Sequence, residues 1–296
     1  MRQNVKPESA QWSALVGVMG LLWGILGFAA LGLTAEDPFP SIKKRLLQEG
    51  FGAAQVEDLF ASDPTPLFRL VAGTFRIQES KLNYGRFLEP GSIALAKRFI
   101  QEHHTSLARA EKAYGVEAPV IAAILLVESG FGNGTGKTHV LSVFATFALM
   151  DQVSYRNKIW AMLSTKDKKR WERDAFDEKL LKRSEWAYGE LRALLKLAQK
   201  ASLNPGTLHG SYMGAIGWPQ FLPSSIVKYG ADGNQDGRID HYTSDDAVFS
   251  IANYLRGFGW CSAKTRAEKE EVIYHYNKSR PYVQTILDVA ARLGGS

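Results

Sequence analysis

Glu128 is the acidic residue whose surroundings favour chemistry, within the stretch ILLVESGFGNGTGKT at 124–138. On a helix it would share a buried face with the apolar residues seven, four and three positions before it, Ile121, Ile124 and Leu125. Burial disfavours the charged carboxylate, raises its pKa and prepares the acid to donate a proton at neutral pH. The competing interpretation is a structural glutamate near a helix end, and the residue types alone favour neither.

The glycine-rich stretch that follows suggests a second chemistry, a loop that binds phosphate. Gly136-Lys137-Thr138 resembles the end of the pattern G-x-x-x-x-G-K-[ST], but that pattern needs glycine at 131, where Phe131 stands. The dinucleotide pattern G-x-G-x-x-G also fails, because it requires glycine where Lys137 stands. The sequence therefore predicts no nucleotide site and no organic cofactor.

A set of oxygen ligands lies in the stretch DGNQDGRID at 232–240. An EF-hand loop takes ligands at its positions 1, 3, 5 and 7, with glycine at 6. The residues that match these ligand positions are Asp232, Asn234, Asp236 and, through its backbone carbonyl, Arg238. Position 12 holds Thr243 instead of glutamate, although Asp245 and Asp246 follow and could supply the ligand from a lengthened loop. The alternative is a surface turn rich in Asp, Asn and Gly.

Three further patterns carry less weight. The histidines show no zinc-ligand spacing. The stretch from Gly210 to Gly214 lacks one residue before the serine of a nucleophile elbow. Several aromatic residues could line a sugar-binding groove, although their spacing alone favours a core: Trp186, Tyr212, Trp218, Phe221, Tyr254 and Tyr276.

The elements that must position these residues read as mainly helical. Residues 117–129 fit either a strand that leads into a glycine loop or a helix. Pro119 in a first turn, Gly130 as a stop signal and the apolar spacing favour the helix. Residues 185–201 show strong helical periodicity, residues 204–221 read as a loop, and strand-like stretches are few.

Residues 12–33 form an apolar run without a charged residue, WSALVGVMGLLWGILGFAALGL. Its length matches the roughly 20 residues that a bilayer-spanning helix needs and exceeds the core of a typical signal peptide. Basic residues before the run and acidic residues after it favour a cytoplasmic N-terminus. The sequence therefore predicts a membrane anchor at 1–35 and an exported domain at 36–296, with signal cleavage near Ala35 as the alternative.

The composition is that of an ordinary globular protein of 296 residues, with 45% apolar and 22% charged residues. The single cysteine, Cys261, cannot form an intramolecular disulfide, so an exported domain must depend on its core. A net charge of +6 suggests an anionic partner. Nucleic acid is disfavoured as that partner by the export signal and by the absence of a recognisable binding motif.

Five stretches, taken in order, resemble the B-type family of lytic murein transglycosylases, which are bacterial cell-wall enzymes with a lysozyme-like core. The matching runs are ILLVESGFGNGTGKTHVLSVFATFAL, KRSEWAYGEL, LHGSYMGAIGWPQFLPSS, DGNQDGRIDHYTSDDAVFSIANYLRGFGW and YNKSRPY. They cover roughly residues 95–290, and their joint order is more specific than any single motif. Residues 151–181 do not align with the family, which leaves one groove wall unassigned.

The resemblance implies a lysozyme-like, mainly α fold of the α+β type, with few short strands and an EF-hand-like loop. Glu128 matches the family's sole catalytic acid and base. The positions that match substrate-facing residues of the family's cleft are Ser211, Gln220, Tyr254, Tyr276, Asn277, Arg183 and Trp186, the last often a tyrosine in the family. The family's calcium loop has a late final ligand, and Asp246 stands at that place, so the resemblance implies a structural Ca²⁺.

The reaction implied is non-hydrolytic cleavage of peptidoglycan between N-acetylmuramic acid (MurNAc) and N-acetylglucosamine (GlcNAc), with formation of 1,6-anhydro ends. Ordinary glycosidases use two carboxylates, whereas the motifs offer only Glu128 outside the calcium loop. We expect a periplasmic enzyme, anchored in the inner membrane by residues 12–33 and accompanied by cell-wall synthesis proteins. The alternatives are a lysozyme-like hydrolase and a non-catalytic module that binds peptidoglycan.

Overall fold

Helices make up most of the described backbone. The computed structural model of the chain describes residues 37–77, 83–199 and 204–294. Two short strands, β1 (Thr138–His139) and β2 (His209–Gly210), pair antiparallel. The α-helices of the described ranges are α1 (Pro40–Gln48), α2 (Ala53–Phe60), α3 (Phe68–Thr74), α4 (Pro90–Glu102), α5 (His104–Tyr114), α6 (Ala118–Ser129), α7 (Val140–Ala148), α8 (Val153–Met162), α9 (Thr165–Lys168), α10 (Arg173–Gln199), α11 (Pro223–Tyr229), α12 (Ser244–Gly257), α13 (Arg266–Tyr276) and α14 (Arg280–Arg292). The prediction of a mainly helical fold is confirmed.

Helix α6 lies at the centre of the packed helices. Pro119 lies in its first turn, and Gly130, at φ 56°, ends it in the left-handed region that glycine favours. Residues 120–126 are all buried, and α4, α5, α12 and α14 pack around them. The predicted helix at 117–129 is thereby confirmed. Because residues 120–126 are buried all round, α6 has no single buried face. What surrounds Glu128 is therefore determined by the elements that pack against the last turn of the helix.

Helices α7 and α10 pack along each other in a second part of the core. Every residue of α7 is buried. The periodicity over 185–201 predicts only part of α10, which begins at Arg173 because Phe176 and Leu180 are already buried. Residues 151–181, which the resemblance did not cover, contain α8, α9 and the first part of α10, and α8 packs against α3.

The loop at 204–221 folds back against the segment that follows α6, through the pairing of β1 with β2. A Cβ atom at Gly136 would lie 2.1 Å from the carbonyl oxygen of Gly210, so glycine is required for this approach. A Cβ atom at Gly132 would likewise lie 2.2 Å from the Trp218 ring. The glycines that follow Glu128 therefore allow the chain to pack closely beside the end of α6.

The segment predicted as a membrane anchor, residues 12–33, lies outside the described residues. Within the described part of the chain, no helix combines the length and the apolar character needed to cross a membrane. From Asp37 onward the described chain forms one unit, with a connected cluster of buried apolar side chains that runs from Phe39 to Ala290. The helices that carry the predicted site residues thus share one core.

Candidate active site

A cavity of about 260 Å³ opens beside the C-terminal end of α6. Three parts of the described chain form it: Asn83 with the 3₁₀ turn Tyr84–Leu88, the last turn of α6, and the stretch from the α13–α14 junction into the first turn of α14. Among the described residues its wall has one acid, one cation, two amides and otherwise apolar or aromatic groups: Asn83, Tyr84, Arg86, Phe87, Val127, Glu128, Asn277 and Tyr282. The cavity forms because α14 packs against both α6 and the 3₁₀ turn.

Glu128 presents its carboxyl group to this cavity. Its Oε1 atom accepts a hydrogen bond of 2.6 Å from the hydroxyl of Tyr282. The residue keeps a minor part of its surface exposed, but the surrounding protein removes most water from the carboxyl. This burial raises the pKa of Glu128 to about 7, and the hydrogen bond from Tyr282 opposes the rise only in part. At neutral pH the group can therefore act both as an acid and as a base.

Tyr282, on α14, is the neighbour that orients this carboxyl. Its side chain is buried, with 1% exposed, and burial raises its pKa well above the ordinary value for tyrosine. The phenol therefore stays protonated and donates to Glu128 at any physiological pH. The run YNKSRPY, which ends at Tyr282, is one of the stretches that resemble the family, but no role was predicted for Tyr282. A partner 154 positions from Glu128 could not be found from sequence spacing.

Tyr276 and Tyr254 were both predicted in the cleft, and they form one aromatic pair with ring centroids 5.0 Å apart. Burial raises the pKa of Tyr276 well above the ordinary value, and the nearby Glu128 carboxylate raises it further. Its hydroxyl donates to the carbonyl oxygen of Pro219 at 2.5 Å. Tyr254 is buried, with its hydroxyl donating to the carbonyl oxygen of His275 at 2.7 Å. Tyr254 therefore packs against the Tyr276 ring and helps to hold it in position.

Ser211 and Gln220 lie on the loop that packs against the segment after α6, outside the wall of the 260 Å³ cavity. The Ser211 hydroxyl accepts a hydrogen bond of 3.0 Å from the backbone N–H of Ala215. Gln220 adopts a left-handed backbone conformation with φ 51°. Its side-chain amide donates to the carbonyl oxygens of Thr135 and Gly217, at 3.1 and 2.8 Å. In this structure both side chains stabilise the loop itself.

Arg183 and Trp186 lie on one turn of α10, away from the cavity wall. The Arg183 guanidinium donates to the Thr74 hydroxyl at 2.7 Å, and burial lowers its pKa below the ordinary value. Trp186 packs edge-on against Phe147 with ring centroids 6.1 Å apart. Of the predicted substrate-binding residues, only Asn277 lines the cavity together with Glu128.

The 3₁₀ turn Tyr84–Leu88 supplies a wall of the cavity that sequence reasoning did not assign. Its position depends on packing against α4 and α14. No motif marks the turn, and only the clustering of aromatic and basic residues in the short stretch YGRF could have drawn attention to it.

The predicted calcium loop at 232–240 folds into a turn that its own side chains stabilise. Asp232 accepts hydrogen bonds of 2.6 and 2.8 Å from two later backbone N–H groups of the loop. Gly237, at φ 85°, stands at the sixth position, where an EF-hand loop turns sharply. Asp246 is fully buried and accepts bonds of 2.8 and 2.6 Å from backbone N–H groups near both ends of the loop. Across the residues that the structure describes, no three Asp, Glu, His or Cys side chains form a group suited to a metal ion.

His241 connects this loop to the segment that carries Gln220. Its backbone carbonyl accepts a hydrogen bond of 2.8 Å from the N–H of Trp218, and a Cβ at Gly217 would lie 2.3 Å from the same oxygen. The His241 ring is completely buried, and neither ring nitrogen has a hydrogen-bond partner in the described part of the chain. Burial lowers the pKa of His241 to about 4, so the ring is neutral at physiological pH.

The family pattern described as the Transglycosylase SLT domain matches residues 35–269. The chain belongs to this family. The resemblance inferred from the motifs around Glu128 is thus confirmed. Among curated relatives, this SLT-domain chain is 30% identical over 175 residues to the membrane-bound lytic murein transglycosylase B of Escherichia coli (strain K12). The aligned region covers 59% of the chain and 40% of that relative, so it spans less than half of the relative's length.

Solved structures show that the SLT-domain chain has a lysozyme-like transglycosylase fold. The soluble lytic transglycosylase SltB1 from Pseudomonas aeruginosa superposes with a TM-score of 0.68 at 24% identity, covering 86% of this chain and 97% of that one. The Escherichia coli lytic transglycosylase Slt35 in complex with calcium superposes with a TM-score of 0.66 at 21% identity, covering 88% and 94%. SltB3 from Pseudomonas aeruginosa, in complex with NAG-NAM-pentapeptide, gives 0.66 at 19% identity and covers 86% and 78%.

Proposed function

We propose that the chain is a peptidoglycan lytic transglycosylase that cleaves the MurNAc-β-1,4-GlcNAc bond without water and leaves a 1,6-anhydro-MurNAc end. The observation that carries the proposal is a single cavity carboxyl, Glu128, whose pKa burial raises to about 7. Ordinary glycosidases need a second carboxylate, and within the described residues no other acid lines this cavity. Membership of the SLT family and the likeness to a lytic murein transglycosylase support the same reaction.

In the first step, protonated Glu128 donates its proton to the oxygen that links the two sugars. The bond between that oxygen and C1 of MurNAc breaks, GlcNAc leaves with the proton as its 4-hydroxyl, and positive charge develops at C1. The raised pKa of Glu128 keeps a large fraction of the group protonated at neutral pH, as a general acid requires. The hydroxyl of Tyr282 then stabilises the carboxylate that this transfer creates.

In the second step, the Glu128 carboxylate takes the proton of the 6-hydroxyl of the same MurNAc. The freed oxygen attacks C1 and closes the anhydro ring, which returns Glu128 to its protonated form. Because the nucleophile belongs to the bound sugar, its effective concentration is high and no water must be positioned. One acid with a pKa near neutrality can therefore serve both steps.

The remaining predicted residues surround the path of the glycan strand in this proposal. Asn277, in the cavity wall, is placed to orient the sugar beside Glu128. Ser211 and Gln220 would exchange their present hydrogen bonds for hydrogen bonds to the substrate. They would then contact N-acetyl and sugar groups of the glycan strand farther from Glu128. Tyr276, with Tyr254 behind it, would support the sugar ring next to the acid, while Arg183 and Trp186 would contribute to the outer groove.

We further propose that residues 12–33 anchor the chain in the inner membrane and that residues 36–296 act in the periplasm. The support is the uninterrupted apolar run and the name of the relative, which describes that protein as membrane-bound. The anchor would hold the catalytic domain close to the membrane, where cell-wall synthesis proteins are its expected partners. Cleavage after the apolar run is the alternative, and N-terminal sequencing of the mature protein decides between the two.

A structural Ca²⁺ in the loop at 232–240 is part of the proposal. The donor set consists of oxygen atoms, which suit this hard cation: Asp232, Asn234, Asp236, the carbonyl of Arg238 and Asp246. The chain turns sharply at Gly237, and the His241 carbonyl accepts a hydrogen bond from the Trp218 N–H. Both features favour a loop that holds the segment carrying Gln220 in place. Calcium bound to the Slt35 relative supports the same assignment.

Thermal unfolding with and without Ca²⁺ tests this site. We expect millimolar Ca²⁺ to raise the melting temperature by several degrees, because an ion that binds only the folded state stabilises it. Asp236→Asn keeps the hydrogen bond that Asp236 accepts from Arg238 but removes a charged ligand, so it should abolish the rise. An equal rise in this variant would contradict the assignment.

Mass spectrometry of the products released from purified murein tests the reaction. The full chain, purified in a mild detergent, should release muropeptides with 1,6-anhydro-MurNAc ends, which lack one water relative to hydrolysed products. Release of reducing ends would show a lysozyme-like hydrolase instead. Binding to murein without any soluble product would show a non-catalytic module.

A further inference from the structure

Among the described residues that line the cavity beside Glu128, one side chain is cationic, and the proposed reaction gives it no task. Arg86 lies in the cavity wall on the 3₁₀ turn Tyr84–Leu88. Its backbone carbonyl accepts a hydrogen bond of 2.8 Å from the Ser92 hydroxyl. This bond ties the turn to the start of α4 and holds the backbone from which the side chain projects.

Arg86 does not serve as the charge partner of Glu128. A guanidinium next to a carboxyl lowers the pKa of that acid. The pKa of Glu128 is set by burial, which raises it, and by the Tyr282 hydroxyl, which opposes the rise. The acid therefore stays available in its neutral form, although a cation lines the same cavity.

The positive charge of Arg86 is also not neutralised elsewhere in the described ranges 37–77, 83–199 and 204–294. Within these ranges its side chain packs over the ring of Phe87, at 4.6 Å from the guanidinium carbon to the centroid. The residue is exposed. A guanidinium has five N–H donors in a planar fork that matches a carboxylate. A guanidinium at the edge of a cavity, with no acidic partner among the described residues, thus presents a site for an anionic group of the ligand.

We propose that Arg86 binds the carboxylate-bearing substituent of MurNAc and thereby selects which sugar lies beside Glu128. This inference rests on the proposed function. The two sugars of the glycan strand differ in charge: GlcNAc is neutral, whereas MurNAc carries a 3-O-lactyl group that ends in a carboxylate or in the acidic stem peptide. An attraction to this substituent places MurNAc, and hence its C1 and its 6-hydroxyl, next to the acid. The charge of the sugar then determines that the bond from MurNAc to GlcNAc is the one cleaved.

Two amides of the same cavity wall fit this assignment, Asn83 and Asn277. They offer neutral donors and acceptors for the lactyl ether or for a peptide bond, whereas Arg86 is the cation among the described residues of the wall. The competing interpretation is that Arg86 merely contributes to the general positive charge of the protein. That interpretation predicts the same effect from any exposed arginine, which makes Arg98 on α4 a matched control, since it is exposed and does not line the cavity.

Calorimetric binding to the full chain carrying Glu128→Gln, which prevents turnover, tests the proposal. Three probes are compared: a peptide-free GlcNAc-MurNAc tetrasaccharide, the same tetrasaccharide with stem peptides, and neutral chitotetraose. We expect Arg86→Met to weaken binding of at least one MurNAc probe about tenfold, the effect of one lost charge-assisted hydrogen bond. Binding of chitotetraose should be unchanged, and Arg86→Lys should restore part of the affinity.

The two MurNAc probes separate the sources of the carboxylate. Weaker binding of the peptide-free probe assigns the contact to the lactyl group, and weaker binding of the peptide-bearing probe alone assigns it to the stem. The effect should shrink at high salt, because a partly exposed ion pair is screened. Equal losses for all three probes, no loss at all, or an equal loss from Arg98→Met would each overturn the proposal.

Failure of this inference is distinguishable from failure of the proposed function. With Glu128 intact, wild type and Arg86→Met should both release anhydro-muropeptides, and the variant should show a raised KM with a largely unchanged kcat. A wild type that releases no anhydro product overturns the function itself. An active wild type, together with an Arg86→Met chain that binds every probe as its parent does, overturns only the role of Arg86.

Discussion

Two glutamates on two helices, Glu128 at the end of α6 and Glu190 within α10, are both desolvated, and burial raises the pKa of each. Their oxygens differ in what they bind. Both carboxyl oxygens of Glu190 accept hydrogen bonds from Ser224, one from its backbone N–H at 2.9 Å and one from its hydroxyl at 2.8 Å. Glu128 accepts one bond, from Tyr282, and lines a cavity.

The difference teaches that burial alone does not leave an acid available to a ligand. Ser224 lies in the first turn of α11, whose N-cap residue Leu222 provides no side-chain bond. Glu190 supplies that bond from another helix and complements the positive end of α11. Its oxygens are therefore occupied by the fold, whereas Glu128 keeps an oxygen available for substrate.

The largest effect expected from this contrast is on turnover. Glu128→Gln should lower the release of anhydro-muropeptides about 10³-fold, because the amide can neither donate nor accept the required proton. Glu190→Gln is the matched variant, and its folded fraction should keep activity within a few-fold of wild type. A comparable loss of activity in both variants, with folding verified by circular dichroism, would remove the distinction between the two acids.

The next effect concerns the pH dependence of stability. The folded-state pKa of Glu128 is about 7, above its ordinary value of 4.5, so the folded state favours the protonated form. The stability that this preference contributes is complete below about pH 4.5 and is lost as the pH rises to about 7. Glu128→Gln should therefore gain stability relative to wild type across this window, by about 3 kcal/mol at pH 8.

Urea unfolding at pH 4.5 and pH 8 measures this difference. The control is Glu111→Gln on α5, since Glu111 is exposed and its substitution should leave the pH dependence as in wild type. A constant difference between Glu128→Gln and wild type at both pH values would mean that the Glu128 carboxyl is not desolvated.

Tyr282→Phe should lower the cleavage rate less than Glu128→Gln does. Its hydroxyl stabilises the Glu128 carboxylate and so lowers the pKa that burial raises. Without it, the pKa of Glu128 should rise further, so the alkaline limb of the kcat/KM profile should shift to higher pH. The maximal rate should fall about tenfold, because the carboxylate formed in the first step loses a charge-assisted hydrogen bond. A lower rate with an unshifted profile would assign Tyr282 a purely structural role.

Ser224→Ala should produce the smallest change and complete the contrast. It removes the hydroxyl bond to Glu190 but keeps the backbone N–H bond, so the free energy of unfolding should fall by about 1 kcal/mol. Murein cleavage at a temperature well below unfolding should stay at the wild-type rate. Reduced cleavage by a fully folded Ser224→Ala chain would show that the α10–α11 contact also shapes the cleft.

Local and contiguous features were predictable from the sequence. Pro119 and Gly130 mark the ends of α6, because proline suits a first helical turn and glycine suits the left-handed residue after a helix. The order of motifs from Glu128 to Tyr282 identified the family. The burial of Glu128 was predictable because its helix is apolar, whereas its role as the acid stays a prediction that the resemblance implies.

Only the tertiary structure decided what surrounds that acid. Tyr282 reaches Glu128 from 154 positions away, and Arg86 enters the same cavity on a turn without a motif. Ser211 and Gln220 matched family positions, but their polar atoms bond to the loop in this structure. The sequence determines which helices form because their signals lie within a few residues. The cavity and the pKa of its acid depend on how distant helices pack, because desolvation and hydrogen bonding depend on neighbours that are close in space and not in sequence.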